Sequence, residues 1–523
     1  MARPLPVLLL LVALAALAAL VTPAAAAAAA ASSSYFVGGN AFWMTDPSAS
    51  QGNVDATLAA ASAVGMRVVR TWAFGDQLPD ASGAYSFDPL DYAVASAARN
   101  NIRLILALGN SWSYGGPEKF LSGGAAGKTI ADFYASPDAR SAYRAHIENV
   151  VSRYAGNPAV LAFDVINEPR CPGCDGGQLA ARNAWLDEMV GAVRASAPSQ
   201  LVLLASEGFY GPGSPHVSKN PGAGSACEGE DWEVESPKAG ASTAHIYWRQ
   251  VEGSPDLGWQ TPGFDAYIPY LSARIDLHEQ VSANMGKDLI IEEFGLSSRF
   301  FDAEQTKAAI AVVLDRLVAS KLKGGKLVGA MIWGLVPPGG AANQAGYNVI
   351  LDGGAAASNI GLGSGAFGGG GGGADGGDAS ASNATAGGSG GGSGSANAGS
   401  ANAAPSDNAA ASKNKSTGGG SANADSANAD SAADSPSNAA AASNTTSTGG
   451  GRRLHQSFQD IVEDKLDGFR RGPQRASCAD ARAGGWTFPY AFGQASGVSA
   501  EAVKSAVAGT TISGLFKEAA SKL

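Results

Sequence analysis

Two glutamates stand at the ends of apolar segments that are predicted to be strands. Glu168 closes D-V-I-N-E at 164–168, and Glu293 lies in I-I-E-E-F-G at 290–295. A carboxylate inside an apolar strand costs free energy unless it is paired, which favours a functional role over chance. One such group can donate a proton while the second, in its ionised form, attacks a carbon atom.

Further polar and aromatic side chains occur at matching positions in other predicted strands. Any one of them could be a satisfied structural group, but several at the same strand position predict a shared site. They are Arg70, Asn167, His245, Tyr247 and Trp333, in the second, fourth, sixth, sixth and eighth strands.

The strands that must position these residues recur along the chain as continuous apolar runs, the pattern of strands covered on both faces. They are predicted at 35–43, 68–74, 103–110, 160–168, 201–209, 243–248, 288–295 and 327–335. Helical periodicity lies between them, at 88–100, 137–154, 179–195, 264–284 and 302–321.

Eight strands that alternate with helices predict a closed (β/α)8 TIM barrel of the α/β class. An open doubly wound sheet is the alternative. It needs a glycine-rich phosphate loop after the first strand, whereas Gly38 and Gly39 lie inside that strand. In a barrel the C-terminal strand ends form the site, so the residues named above should converge at one mouth.

Two carboxyl groups that flank one bond are what glycoside hydrolysis requires. Arg70 beside Glu293 would keep that group ionised, and the charge on Glu293 would favour the protonated form of Glu168. In the retaining version of this reaction, the two carboxyl groups lie about 5–5.5 Å apart. Because strand side chains alternate, Glu292 should point to the opposite face from Glu293 and be structural.

A set of motifs follows the order of these strands. It comprises R-T-W-A-F at 70–74, N-S-W at 110–112, N-E-P-R-C at 167–171, E-G-F-Y-G at 207–211, H-I-Y at 245–247 and E-F-G at 293–295. Over residues 35–352 this set resembles glycoside hydrolase family 5, and most closely its plant-type endo-β-1,4-mannanases. The chain departs from that family at W-R (248–249), at the second cysteine of C-P-G-C (171–174) and after residue 352.

The resemblance implies a role for each matching residue. Glu168 would be the general acid/base and Glu293 the nucleophile. Asn167 would bind the sugar 2-hydroxyl, and Arg70 and Tyr247 would flank the nucleophile.

Aromatic residues would complete the cleft. The resemblance implies that His245 lines it and that Trp333 is the platform beneath the reacting sugar. Of the nine tryptophans, all but Trp486 lie between positions 43 and 333, and indole faces stack on sugar rings. We expect Trp43 and Trp112 to belong to this substrate-binding surface.

Residues 1–31 are predicted to be a secretory signal peptide, because Arg3 precedes a run of Leu, Val and Ala that is followed by small residues. An uncleaved anchor is the alternative, but the run is short for the roughly 20 residues that span a bilayer. We expect a secreted protein that is not membrane-bound after cleavage. The final Ser521-Lys522-Leu523 matches a peroxisomal address, which is the less favoured localisation.

Composition divides the remaining chain into three parts. A catalytic barrel is predicted at 32–352, a disordered linker rich in Gly, Ser, Ala and Asn at 353–450, and a helical segment at 451–523. The last segment has helical stretches at 458–469 and 500–522. It either completes the barrel as its eighth helix, which is favoured, or forms a small appended module.

The net charge of −10 without a basic patch argues against nucleic-acid binding. Zinc binding and one or two disulfides are both open to the cysteines. The absence of a second C-x-x-C and of a suitably spaced histidine favours disulfides, whose pairing the sequence does not choose. We predict no metal and no other cofactor. The cysteines are Cys171, Cys174, Cys227 and Cys478.

The predicted activity is therefore that of a retaining endo-β-1,4-mannanase, acting as a monomer on mannan or glucomannan of plant or algal walls. A β-1,4-glucanase or a transglycosylase of the same family is the nearest alternative. A non-catalytic glycan-binding wall protein is the alternative from another class, and the presence of both glutamates argues against it.

Overall fold

The computed structural model describes residues 35–75, 84–112, 116–121, 128–221, 229–247, 263–298, 301–337, 347–351 and 490–523. The predicted signal peptide, the linker and the helical stretch at 458–469 lie outside the described residues, as do Trp248, Cys227 and Cys478. The domain boundaries given above stay predictions.

Eight parallel strands form a single curled sheet. They are β1 (Phe36–Asn40), β2 (Val68–Trp72), β3 (Arg103–Ala107), β4 (Val160–Asp164), β5 (Leu201–Leu203), β6 (Ser242–Tyr247), β7 (Leu289–Gly295) and β8 (Leu327–Trp333). Hydrogen-bonded neighbours run in the order β5–β4–β3–β2–β1–β8–β7–β6, so the first strand pairs with the last.

The two ends of this order also meet. The backbone N–H of Gly240, just before β6, donates to the carbonyl of Val202 in β5 at 2.7 Å. Farther along, the N–H of Ser206 donates to Thr243 Oγ1 at 2.9 Å. The predicted (β/α)8 barrel is confirmed, and the open doubly wound alternative is wrong because β1 lies between β2 and β8.

Helices pack around this barrel, and none of those within the described residues is both long and apolar enough to span a bilayer. They are α1 (Gln51–Ala63), α2 (Asp88–Arg99), α3 (Ile130–Ala135), α4 (Pro137–Tyr154), α5 (Gly176–Ser196), α6 (Trp232–Glu235), α7 (Phe264–Asn284), α8 (Ala303–Leu322), α9 (Tyr490–Gln494), α10 (Ala500–Val507) and α11 (Ile512–Lys522). Two short strands, β9 (Leu335–Val336) and β10 (Val349–Ile350), pair with each other.

Local sequence explains where two of the long helices begin. Asp175 accepts a hydrogen bond from the N–H of Gln178, whose side chain returns one to the Asp175 N–H, and this capping box starts α5. Asp302 and Gln305 start α8 in the same way. These caps satisfy N–H groups that the first helical turn leaves without partners.

The C-terminal helices pack on the barrel and belong to the same compact unit. In α11, Ile512 and Phe516 are buried in the core that the barrel helices share. Helix α11 lies against α8 and β1. It approaches the turn after α1 so closely that a Cβ at Gly65, whose φ is +87°, would overlap Ala520. Helix α11 therefore occupies the ring position that follows β8.

The single helix predicted at 500–522 is wrong in one respect, since the structure has two helices there. Gly509 adopts a left-handed φ of +76°, which ends the first helix. Thr511 then caps the second by accepting from the N–H of Gly514 at 2.9 Å. Helix α1 was not predicted, because its alanine-rich sequence carries few large apolar side chains to mark one face.

We predict that Phe516→Ala lowers the free energy of unfolding by about 3–5 kcal/mol, because it leaves a cavity where a fully buried ring packs on the barrel. Lys517→Ala is the matched control on the exposed side of α11 and should stay within about 0.5 kcal/mol of the parent. Denaturant titration measures both. Equal values for the two variants would show that α11 does not unfold with the barrel.

Candidate active site

Glu168 lies just beyond β4, in a segment that is bonded to both neighbouring strand ends. The N–H of Asn167 donates to the Gly109 carbonyl and that of Glu168 to the Ala205 carbonyl, each at 2.9 Å. Ser111 Oγ donates to the Glu168 carbonyl. These bonds hold Glu168 at a left-handed φ of 47°, which is costly for a residue other than glycine. The chain thus fixes the direction of this side chain.

Glu293 is fully buried in β7 and is held by two donors. Arg70 Nη1 donates to Oε1 and Tyr247 Oη donates to Oε2, both at 2.6 Å. A guanidinium and a hydroxyl donor stabilise the ionised form of a carboxyl group. Glu293 is therefore a carboxylate held in one orientation.

The Glu168 side chain, which is 3% exposed, faces the same centre. Trp112 Nε1 donates to its Oε2 at 2.6 Å, and His245 Nδ1 lies 2.9 Å from its Oε1. One carboxylate oxygen of Glu168, one of Glu293 and one ring nitrogen of His245 all lie within 4.8 Å of one another. The predicted convergence of the two glutamates is confirmed.

Arg70 is the buried cation around which the strand ends are arranged. Its Nε donates to Asp164 Oδ2 at 2.5 Å, its Nη2 to Asn167 Oδ1 at 2.8 Å, and its Nη1 also to Asn40 Oδ1 at 3.2 Å. Burial by itself lowers the pKa of Arg70, but the charges of the neighbouring carboxylates outweigh it and raise that pKa. Arg70 therefore carries its charge at every working pH.

His245 lies between two carboxyl groups. Its Nδ1 faces Glu168, and its Nε2 lies 3.2 Å from Glu292 Oε2. Burial lowers the pKa of His245, but the charge of Glu293 and the contacts with Glu168 and Glu292 raise it to about 10. His245 is therefore an imidazolium near neutral pH, with both N–H groups donating.

The expectation that Glu292 points away from the site is wrong, because Glu292 contacts both His245 and Arg70. Ala244 pairs with Ile291 and His245 with Glu293, so residue 292 is an extra residue in β7. This is a β-bulge, which interrupts the alternation of side chains and turns two consecutive glutamates toward one centre.

Aromatic rings form the wall beside the glutamates. Trp333 stacks on Phe42, with ring centres 5.2 Å apart and planes at 15°, and packs at 5.8 Å against Trp72. The peptide bond between Trp333 and Gly334 is cis. Half-buried Trp43 packs on the same cluster and donates from Nε1 to the Leu335 carbonyl at 2.8 Å.

Every site residue predicted from the sequence thus lies at the C-terminal end of the barrel. Three residues of the site were not predicted: Asn40, Asp164 and Tyr347, whose ring packs edge-on against Tyr247 at 5.6 Å. The only signal for Asp164 and Asn40 is that each is a polar residue ending an apolar strand.

The cluster of Glu168, His245 and Glu293 has the spacing of a metal site. However, the carboxylate oxygens that would bind a metal already accept hydrogen bonds. Trp112, Arg70 and Tyr247 bind the carboxylate oxygens, and the Arg70 charge 2.6 Å from Glu293 opposes a cation. The arrangement is better explained as a hydrogen-bonded network.

Cys171 and Cys174 form a disulfide three residues beyond Glu168. This bond fixes one of the pairings that the sequence left open and removes both thiolates as zinc ligands.

Comparison with known proteins agrees with this geometry. The family model for cellulase (glycosyl hydrolase family 5) matches residues 27–321. The chain belongs to glycosyl hydrolase family 5. It is therefore a glycoside hydrolase rather than a non-catalytic binding protein, and the resemblance seen in the sequence is confirmed.

Two plant relatives illustrate the similarity. A putative mannan endo-1,4-beta-mannosidase 5 from Oryza sativa subsp. japonica is 32% identical over 62% of this chain and 71% of its own length. Mannan endo-1,4-beta-mannosidase 1 from Arabidopsis thaliana is 31% identical over 61% of this chain and 82% of its own length.

Among solved structures, the endo-beta-1,4-mannanase from Thermotoga petrophila superposes with a TM-score of 0.50 at 23% identity. The superposition covers 61% of this chain and 74% of that one. At this level of identity the match supports the barrel fold alone.

We predict that ¹⁵N NMR shows both His245 ring nitrogens protonated at pH 8, because its pKa is raised to about 10. His146 is the internal control. Burial lowers its pKa to about 4, so its ring should be neutral in the same spectrum.

The effect on stability has a definite sign. Since the pKa of His245 is higher in the folded than in the unfolded chain, its proton stabilises the fold fully below about pH 6.5. That contribution is lost as pH rises toward 10. A His245 midpoint near 6.5 would contradict this account of the site.

Proposed function

We propose that this glycoside hydrolase is a retaining endo-β-1,4-mannanase in which Glu168 is the general acid/base and Glu293 the nucleophile. The observation that carries the proposal is that an oxygen of Glu168 and one of Glu293 lie within 4.8 Å of each other. Retaining enzymes have carboxyl groups about 5–5.5 Å apart, whereas inverting enzymes leave room for a water at roughly 6.5–9.5 Å.

In the first half-reaction, Glu293 attacks the anomeric carbon and Glu168 protonates the departing glycosidic oxygen. The donors from Arg70 and Tyr247 leave Glu293 ionised and fix its direction. Glu168 must hold a proton at this stage, and the negative charge on nearby Glu293 favours that protonated form.

In the second half-reaction, Glu168 acts as the base. Once Glu293 is an ester, its negative charge is gone and Glu168 is the ionised group. Trp112 Nε1 and the His245 imidazolium then donate to its two oxygens. Glu168 takes a proton from water, the water attacks the anomeric carbon, and the sugar leaves with its original configuration.

The remaining residues orient the sugar. Asn167 donates one amide hydrogen to Asn110 Oδ1 at 3.0 Å, and its second amide hydrogen suits the sugar 2-hydroxyl. Trp333 is the platform for the reacting ring, supported from behind by Phe42 and Trp72. Trp43 packs on the same aromatic cluster and extends this surface, whereas Trp112 contributes its indole N–H to Glu168.

Mannan is the favoured substrate because the plant relatives named above are mannan endo-1,4-beta-mannosidases. A β-1,4-glucanase remains the alternative within the family, since the two sugars differ in the configuration of one hydroxyl group. A transglycosylase differs only in the acceptor that takes the sugar from Glu293.

We also propose that the chain is exported, acts as a monomer and cuts a plant or algal wall polysaccharide. The apolar run that follows Arg3 supports export. Sequencing the N-terminus of the mature protein tests this, and an intact Met1 would contradict it.

We predict that Glu168→Gln lowers kcat on mannohexaose by roughly 10²–10⁴-fold, because the amide cannot protonate the leaving oxygen. Activity on an aryl mannoside with a good leaving group should show a burst of released aryl alcohol, because that first step needs no acid. Glu293→Gln should lose both activities. Glu188→Gln on the outer surface, where Glu188 pairs with Arg140, is the matched control.

Product analysis by NMR follows the same reaction. The β-anomer should appear first, and the chain should be cut internally. Release of the α-anomer would contradict the retaining mechanism, and unchanged activity of Glu168→Gln would contradict the assignment of the acid.

Parallel assays on different polysaccharides test which sugar the enzyme prefers. We predict faster turnover of β-mannan than of carboxymethylcellulose, with glucomannan also cut. Faster turnover of the cellulose derivative would favour the glucanase, and accumulation of products longer than the substrate would favour the transglycosylase.

A further inference from the structure

Asp164 and Glu292 are buried carboxyl groups that the proposed reaction does not use. Neither side chain reaches solvent. Asp164 Oδ2 accepts from Arg70 Nε at 2.5 Å, and Glu292 Oε1 lies 3.8 Å from the same nitrogen. We call these two residues the carboxyl pair, since they approach one edge of the same guanidinium.

Each member of the carboxyl pair has one oxygen that lacks a donor among the residues that the structure describes. These oxygens are Asp164 Oδ1 and Glu292 Oε1. A buried ionised carboxylate with an unsatisfied oxygen is unfavourable. A proton on one of the two groups removes its negative charge, and with it the cost of burying that charge with an unpartnered oxygen.

The charges around the pair also call for a proton. Within the described part of the chain, the centre formed by Arg70 and His245 holds four buried carboxyl groups, which are the pair together with Glu168 and Glu293. Two cations thus face four acids, and burying two excess negative charges is costly. The proton on Glu168 cancels one of them, and a proton on the pair cancels the other.

The groups that face Asp164 come from several elements. Arg70 lies on β2, His245 on β6 and Glu292 on β7, while Tyr143 of α4 donates its hydroxyl to the Val165 carbonyl and stays neutral. Burial and the charge of Glu292 raise the pKa of Asp164 to about 7 against the opposing effect of Arg70.

We propose that Asp164 and Glu292 share one proton in the resting enzyme, and that the singly charged pair lets Arg70 face Glu293 and His245 face Glu168. The inference rests on the proposed function for the proton on Glu168. Both members are positioning residues, because they act through the arginine and the histidine.

This arrangement keeps the buried charge constant through the reaction. When Glu293 becomes an ester, one negative charge disappears from the centre. Glu168 gives its proton to the leaving oxygen in the same step and becomes negative. The carboxyl pair keeps its proton throughout, so the excess of acids over cations does not change.

Infrared difference spectroscopy tests the shared proton in the Glu168→Gln enzyme, which lacks the acid/base proton. Spectra are compared with those of Glu168→Gln/Asp164→Asn and Glu168→Gln/Glu292→Gln at about pH 6. We expect the first protein to show a protonated-carboxyl band that both double variants lose, because a single acid beside Arg70 ionises. Glu230 is another buried carboxyl group, and burial raises its pKa; because it is present in all three proteins, its contribution cancels in the difference.

If the Glu168→Gln spectrum and the spectra of the double variants do not differ in the protonated-carboxyl region, the proposal is overturned. Either double variant suffices for the comparison if the other does not fold. If neither folds, titration of the Glu168→Gln enzyme decides. Loss of a protonated-carboxyl band as the pH rises above 6 supports the proposal, and the absence at pH 6 of any band beyond the one that Glu230 contributes contradicts it.

The pH profile tests the positioning role. Asp164→Asn prevents the pair from gaining a second negative charge. Because that charge would favour the protonated form of Glu168, the basic limb of kcat/KM, which reports the Glu168 proton, should move down by on the order of one pH unit. An unchanged limb would contradict the role. The infrared measurements are made without substrate, so they do not depend on the proposed reaction. A failure to cleave mannan would therefore contradict the proposed function while leaving the shared proton to its own test.

Discussion

The ion pair between Arg70 and Glu293 is the interaction on which the site depends. Arg70 comes from β2 and Glu293 from β7, and the guanidinium also binds Asp164 at the end of β4. One side chain thus fixes three strand ends relative to each other. Because these groups are buried, the contact is not screened by water, and loss of either partner would leave an uncompensated buried charge.

The barrel makes such a centre possible by closing its sheet. Parallel strands bring all their C-terminal ends to one face, so polar residues that are far apart in the sequence meet there. The ring of helices protects the strands, and in this chain the position after β8 is filled by α11 from the C-terminal end. The same closure buries the acids with their cations, which sets the charge balance of the site.

The strands and the two glutamates of the site could be predicted, because each is marked by a short stretch of the sequence. Continuous apolar runs predicted the strands, and the acids at the ends of 160–168 and 288–295 predicted the two glutamates. Glu292 could not be placed in this way. Its bulge depends on the register of β7 with both β6 and β8, which one strand's sequence does not contain. The break between α10 and α11 was missed because helical periodicity continues on both sides of Gly509.

The retaining mechanism requires that Glu293 becomes covalently bound to the sugar during turnover. Mass spectrometry after treatment with a 2-deoxy-2-fluoro-β-mannoside carrying a good leaving group tests this most directly, because the fluorine slows hydrolysis of the intermediate. We predict one added sugar per chain, located on the peptide that contains Glu293 and absent when that residue is replaced by glutamine. An unmodified enzyme that still turns over, or a sugar attached to another residue, would contradict it.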